Sequence, residues 1–195
     1  MGKGRIEAFS DGVIAIIITI MVLELKVPHG DEPAELKPLI PVFISYILSF
    51  VNIGIYWNNH HHLFQAVQRI NGKIMWANIH LLFWLSLMPF ATAWVGENNF
   101  TEWPMALFGV ILLMSGVAYY FLSQTIIHFH GKKSKIAEAI GSDWKGIISV
   151  VIYFVAVFMA FINAWVSLGL YFLVAVIWFI PDSRIEKNLE AGNKN

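Results

Sequence analysis

A set of polar residues near the start of the chain lies where lipid is expected to begin. The segment RIEAFSDGVIAIIITIMVLEL, residues 5–25, places Arg5, Ser10 and Asp11 at the start of a long apolar run. A charged group inside a membrane is costly and usually functional, so Asp11 needs a partner. Arg5 lies six residues before Asp11, too far round a helix for a good ion pair. The partner therefore lies on another helix or is water, unless Ser10 and Asp11 cap the first turn of the helix.

Two further polar groups could supply such partners. The first group, in YWNNHHHLF at residues 56–64, consists of Trp57, His60 and His61. The second group lies in a later apolar run and consists of Asn78 and His80. A spacing of four residues puts Trp57 and His61 on one helix face, with His60 one position round. These side chains could converge on Asp11 in one network, which is stable only when every member has a hydrogen-bond partner.

The histidines also raise the alternative of a membrane metalloprotein. Imidazole is a common ligand of zinc and of haem iron. Consecutive histidines on a helix point about 100° apart, so His60 and His61 need His80 to complete a site. The chain has no cysteine, which excludes thiolate sites. No activated nucleophile accompanies Asp11 and no hydrolase motif occurs, so the sequence predicts no enzyme and no resident metal or cofactor.

The composition indicates an integral membrane protein. Hydrophobic residues make up 57% of the 195 residues and charged residues only 13%, against about 25% charged in typical soluble domains. The aromatic content of 15% is typical of proteins with Trp and Tyr at both bilayer interfaces. The net charge of +0 gives no reason to expect nucleic-acid binding.

The apolar runs predict an all-α fold with six transmembrane helices. A helix needs about 20 largely apolar residues to cross a bilayer, and the predicted spans are residues 9–25, 39–59, 74–95, 105–127, 146–161 and 168–180. The second helix could continue to residue 69, and Pro89 interrupts the third. We expect one transmembrane domain over residues 1–181 and a short cytoplasmic tail over residues 182–195.

The distribution of lysine and arginine predicts the orientation. Eleven of the 13 basic residues fall on one side of the predicted spans: Lys3, Arg5, Arg69, Lys73, Lys132, Lys133, Lys135, Lys145, Arg184, Lys187 and Lys194. Only Lys26 and Lys37 fall on the other. Positively charged short loops stay cytoplasmic, so we expect both termini in the cytoplasm and the chain in the plasma (inner) membrane.

The first helix carries two stripes at helical spacing. The apolar stripe consists of Ile16, Ile20 and Leu23. The other stripe consists of the small residues Gly12, Ala15 and Thr19. The small stripe suits close contact with another helix. By itself, the apolar stripe is best explained as a lipid-facing surface.

Three segments resemble a known family of channels. RIEAFSD fits the signature RxxxFSD of the lysosomal and prokaryotic potassium channels with six-helix units, and YWNNHH and AN.H on later helices are also similar. The resemblance covers at least residues 5–95, and His62 departs from the basic residue expected there. It implies a cation channel, and a chain with one six-helix unit implies a homotetramer with first helices around a central pore.

The resemblance also implies roles for individual residues. It places a hydrophobic constriction at Ile16, with further pore layers at Thr19 or Ile20 and at Leu23. It implies a supporting hydrogen-bond network around the signature, which includes these residues: Arg5, Phe9, Ser10, Asp11, Trp57, His60 or His61, Asn78 and His80. Glu24 near the outer mouth would concentrate cations.

Three alternatives to potassium-preferring conduction remain at this point. A cluster of Asp11 and His80 could titrate near neutral pH, which would suit a proton-permeable or weakly selective cation leak. The histidine-based metalloprotein is the second alternative, and a non-conducting scaffold, which would show no flux at any voltage, is the third. The expected partners are a second copy of the chain, the lipid bilayer and monovalent cations, with potassium as the permeant ion.

Overall fold

Every regular element in the described part of the chain is a helix. The computed structural model describes residues 2–131 and 144–179. The helices are α1 (Lys3–Leu23), α2 (Ile40–Ala66), α3 (Gly72–Ser86), α4 (Met88–Glu97), α5 (Glu102–His130), α6 (Trp144–Met159) and α7 (Ala164–Phe179). A 3-10 helix, Pro33–Leu39, leads directly into α2.

The helices account for all six predicted apolar segments and confirm the all-α fold. Four helical segments are long and apolar enough to cross a membrane: Lys3–Leu23, Pro33–Ala66, Gly72–Glu97 and Glu102–His130. The apolar helices α6 and α7 are shorter, with 16 residues each, and both adjoin stretches outside the described residues. The predicted tail, residues 182–195, also lies outside the described residues.

The third predicted span is divided into α3 and α4. Leu87 forms a single turn residue between them, and Pro89 occupies the first turn of α4. Proline has no N–H to donate, and its ring collides with the carbonyl of the residue four positions earlier. A helix can begin with proline but cannot easily continue through it, so the break falls where the sequence predicts an interruption.

Helix α1 packs on one side of the bundle, against α2, α3 and α4. On the other side, α5 packs against α3 and α6, and α7 packs against α6. Gly96 lets α4 approach α2 closely, since a Cβ atom there would come within 2.6 Å of the Val42 Cα atom. The result is a bundle in which the first helix is covered on one face only.

Contacts between helix ends agree with the segregation of charge along the chain. At one end, Lys3 donates a hydrogen bond to the Gln65 carbonyl oxygen at 3.1 Å, so the start of α1 meets the end of α2. At the other end, Lys26 pairs with Glu97. The hydrogen bond to Glu97 raises the pKa of Lys26. Lys3 and Lys26 therefore belong to opposite ends of the bundle.

Candidate functional site

Helix α1 has a buried face and an exposed face. Its buried residues recur at spacings of three and four: Ile6, Ser10, Ile14, Ile17 and Met21. On the other face, Ile16 is 59% exposed, Ile20 42% and Leu23 76%. Ile20 lies to one side of the line from Ile16 to Leu23, and the exposed Thr19 lies to the other side. The predicted pore residues thus lie on a face that this chain leaves uncovered.

The polar residues of α1 do not cap the helix. Helix α1 begins at Lys3, and Gly2 occupies the cap position without a side-chain hydrogen bond. Ser10 and Asp11 consequently lie in the helix interior, where their partners must come from elsewhere. At 100° per residue, Asp11 lies about 140° round the helix from Ile16, so the carboxylate is well away from the apolar stripe.

A buried chain of hydrogen bonds joins α1, α2 and α3. Asn78 Nδ2 donates to Ser10 Oγ at 2.9 Å, and Asn78 Oδ1 lies 2.7 Å from His60 Nε2. All three side chains are almost wholly buried. The His60 ring also stacks on Phe64, with ring centroids 4.4 Å apart. Asn78 therefore positions the middle of α1 against both neighbouring helices.

Asp11 has a separate partner at the edge of this cluster. Trp57 Nε1 donates to Asp11 Oδ1 at 3.1 Å, although both side chains are partly open to the surroundings. The Trp57 ring stacks near His61 at 6.1 Å, and His61 Nε2 lies 2.8 Å from Gln65 Nε2. The sequence did not decide whether His60 or His61 belongs to the network. In the structure His60 joins the buried cluster and His61 lies on the exposed face.

Three predicted members of the network lie outside it in this chain. Trp84 donates to His80 Nε2 at 2.9 Å within α3, and His80 is exposed. Within the single chain His80 does not join Asp11, because His80 lies two residues, about 200°, from the buried Asn78. Arg5 and Phe9 are also exposed, and no ion pair joins Arg5 to Asp11 among the described residues.

The histidines do not form a metal site in the described part of the chain. His60 is hydrogen-bonded to Asn78, His61 faces outward and His80 is paired with Trp84. Within residues 2–131 and 144–179, no three His, Asp or Glu side chains are grouped closely enough to hold a metal ion.

A second polar contact supports α1 further along, and the sequence analysis did not identify it. Thr92 on α4 lies with its Oγ1 atom 3.9 Å from Met21 Sδ and 2.6 Å from Ser49 Oγ on α2. Ser45 donates to the Thr92 carbonyl oxygen at 3.1 Å. Small hydroxyl residues are common where membrane helices approach closely. The presence of Ser45, Ser49 and Thr92 in apolar segments was therefore the sequence signal for this contact.

Comparisons with known proteins agree with the resemblance seen in the signature. The sequence model described as endosomal/lysosomal potassium channel TMEM175 matches residues 5–89. A potassium channel from Chryseobacterium sp. (strain P1-3) is 56% identical over 97% of this chain and 99% of its own length. A potassium channel from Chamaesiphon minutus is 32% identical over 92% of this chain and 95% of its own length.

A solved structure and more distant relatives extend the comparison. The crystal structure of a lysosomal potassium-selective channel TMEM175 homolog from Chamaesiphon minutus superposes with a TM-score of 0.80, at 30% identity, over 91% of this chain and 96% of that one. The endosomal/lysosomal proton channel TMEM175 of Gallus gallus is 35% identical over 47% of this chain, which covers 21% of the animal protein. The chain belongs to the endosomal/lysosomal potassium channel TMEM175 family.

Proposed function

We propose that this protein conducts potassium ions passively through a homotetrameric pore lined by α1. The observation that supports this most directly is the uncovered stripe of Ile16, Ile20 and Leu23 on the helix that carries the family signature. In a monomer this stripe would face lipid, whereas a fourfold arrangement of α1 would turn it toward an axis. Channels catalyse no covalent chemistry, in keeping with the prediction that the chain is not an enzyme.

The side chains along this stripe suit a narrow pore with one polar layer. A ring of Ile16 side chains would form an apolar constriction that closes by dewetting. Thr19 Oγ1 donates its proton to the Ala15 carbonyl oxygen at 2.9 Å, so its lone pairs remain to face a cation. Four such oxygens could replace part of the hydration shell of potassium, and Glu24 would attract cations to the outer mouth.

The buried polar cluster is proposed to hold the pore helix in position rather than to bind ions. Ser10 is attached to Asn78, and Asp11 is attached to Trp57, on faces of α1 that point away from Ile16. His80 and Arg5 are exposed in the single chain and are available to a neighbouring subunit. In the proposed orientation, the start of α1 faces the cytoplasm and the chain lies in the plasma membrane.

A proton-permeable leak is the second candidate function. The specific observation in its favour is that the matching vertebrate relatives are named endosomal/lysosomal proton channels. Within a single chain His80 is hydrogen-bonded to Trp84 and Asp11 to Trp57. A pairing of His80 with Asp11 therefore does not support the proton leak there. Purified protein in liposomes under opposed potassium and pH gradients separates the two, because the reversal potential follows the permeant ion.

The pore assignment is tested by replacing Ile16 with asparagine. A polar ring would wet the constriction, so we expect larger single-channel conductance and weaker discrimination between potassium and sodium. Ile162→Asn is the matched control, since Ile162 is 75% exposed in the turn between α6 and α7. Unchanged conductance and selectivity in Ile16→Asn would show that Ile16 is not the constriction.

A further inference from the structure

A cavity of about 400 Å³ lies behind the pore helix, between α2, α5, α6 and α7. The α2 residues that line it form one stripe at helical spacing: Asn52, Ile55, Tyr56 and Asn59. Trp57 and His60, which bind residues of α1 and α3, lie on a different side of α2. The cavity is therefore separate from the pore stripe and from the polar cluster that supports it.

Hydrocarbon and aromatic rings make up most of the cavity lining. Most of the polar groups in the lining are already engaged in these hydrogen bonds: Tyr153 to Asn52 Oδ1 at 3.2 Å, Tyr119 to the Asn59 carbonyl at 3.2 Å, and Trp178 to Ser149 Oγ at 2.8 Å. The Tyr56 hydroxyl makes no hydrogen bond to any other described residue, which leaves it as a donor. The cavity thus offers an apolar space in which the Tyr56 hydroxyl is available as a hydrogen-bond donor.

The cavity opens at an exposed apolar surface of the bundle. Exposed apolar residues border it on two helices: Phe121 on α5, and Ile147 and Val151 on α6. Water filling 400 Å³ would amount to about 13 molecules, and these apolar surfaces could not supply the two to four polar partners that each needs. The volume lies within the roughly 300–1,000 Å³ range of ligand pockets, and the neighbouring medium is hydrocarbon chains.

We propose that this cavity holds one acyl chain of a bilayer phospholipid, whose ester carbonyl accepts a hydrogen bond from the Tyr56 hydroxyl. The bilayer supplies the chain at high concentration, and the apolar lining excludes a charged or strongly polar occupant. An acyl chain in this position would fill the space behind α2, the helix that carries Trp57 and His60. The site goes beyond the proposed conduction and does not depend on it.

Gly116 on α5 provides a substitution that blocks the cavity. A Cβ atom at Gly116 would lie 3.5 Å from Val150 Cγ2 and 3.6 Å from the Tyr56 hydroxyl oxygen, so a first carbon fits in ordinary contact. The longer side chain of Gly116→Leu would occupy the space proposed for lipid. Gly169→Leu is the matched control, because Gly169 is exposed on α7 and a Cβ atom there meets nothing within 4 Å.

The test counts phospholipid retained by the purified full-length chain, measured by native mass spectrometry after reconstitution with 1-palmitoyl-2-oleoyl phosphatidylglycerol. We expect the wild type and Gly169→Leu to retain one phospholipid per chain more than Gly116→Leu. Equal retention by all three, or retention by the wild type of free fatty acid or detergent only, would overturn the proposal.

A second measurement covers the case in which Gly116→Leu does not fold. Crystals of the wild type grown with phospholipid brominated on its tail should show anomalous bromine density inside the cavity between α2, α5 and α6. Bromine density on the outer surface alone would equally overturn the proposal. Neither measurement uses ion conduction, so a failure of the channel assignment would be seen separately in the flux experiment.

Discussion

Replacing Asn78 with leucine is expected to loosen the attachment of the pore helix. The Asn78 amide donates to Ser10 at 2.9 Å and its oxygen lies 2.7 Å from the His60 ring nitrogen, with all three residues buried. Leucine has the same branching at Cγ and the same number of side-chain heavy atoms as asparagine, but its two methyl groups are bulkier and apolar. The substitution therefore removes both hydrogen bonds while leaving no large cavity.

The magnitude follows from what the two former partners can do. Ser10 can turn its hydroxyl to the Ile6 carbonyl one turn earlier, as Thr19 does toward Ala15, so its loss is small. The buried His60 nitrogen is left without its partner, which typically costs about 1–3 kcal/mol. Hydrogen bonds between membrane helices average nearer 0.6 kcal/mol, so we expect about 1–2 kcal/mol in total.

The assay is reversible unfolding of the purified protein in mixed micelles with increasing SDS. Asn98→Leu is the control, because Asn98 is exposed just after α4 and its side chain donates only to the Trp94 carbonyl of that helix. In a double-mutant cycle with His60→Phe, which removes the ring nitrogen that faces Asn78, the two positions should couple by at least about 0.5 kcal/mol. Additivity of the two substitutions, or an Asn78→Leu effect no larger than that of the control, would refute the argument.

Three further predictions concern the outer mouth, the packing of the outer helices and the role of the carboxylate. Glu24→Gln should lower potassium conductance at low ionic strength and have little effect near 1 M salt, where charges beyond about 3 Å are screened; single-channel recording at both strengths checks this. Gly109→Ala should destabilise the fold by about 1–3 kcal/mol, because its Cβ atom would collide with the Tyr171 hydroxyl, whereas Gly169→Ala should not change the unfolding midpoint. Asp11→Asn should retain the tetramer on size-exclusion chromatography better than Asp11→Ala does, with no change in reversal potential for either; altered selectivity with assembly intact would place the carboxylate in the pore.

The positions of the helices were largely predictable because bilayer thickness and hydrophobicity act locally. Apolar runs bounded by charges, glycine and proline predicted six helical segments, and all six are helical in the described residues. The break in the third segment follows from the chemistry of Pro89 alone. The start of α1 at Lys3 was less predictable, because Gly2 occupies the cap position without a side-chain hydrogen bond that would mark the helix end.

The polar cluster was predictable in part of its membership, namely Ser10, Asp11, Trp57, His60 and Asn78, but not in its pairing. The high cost of a carboxylate in a membrane required a partner for Asp11 from another element, and Trp57 supplies one. Whether His60 or His61 turns inward depends on how α2 is rotated, which packing against Phe64 and Asn78 decides. Helical geometry alone could have excluded His80 once Asn78 was known to be buried.

The sequence by itself determined that α1 is a membrane helix with an apolar stripe and a carboxylate on different faces, since 100° per residue fixes their relation. It could not decide whether that stripe is covered, because covering depends on contacts between distant segments. The tertiary structure decided this: α2, α3 and α4 all pack on the side of Ser10, Ile17 and Met21. Ile16 is consequently left exposed within the chain, because the hydrogen bonds at Ser10 hold α1 in that rotation.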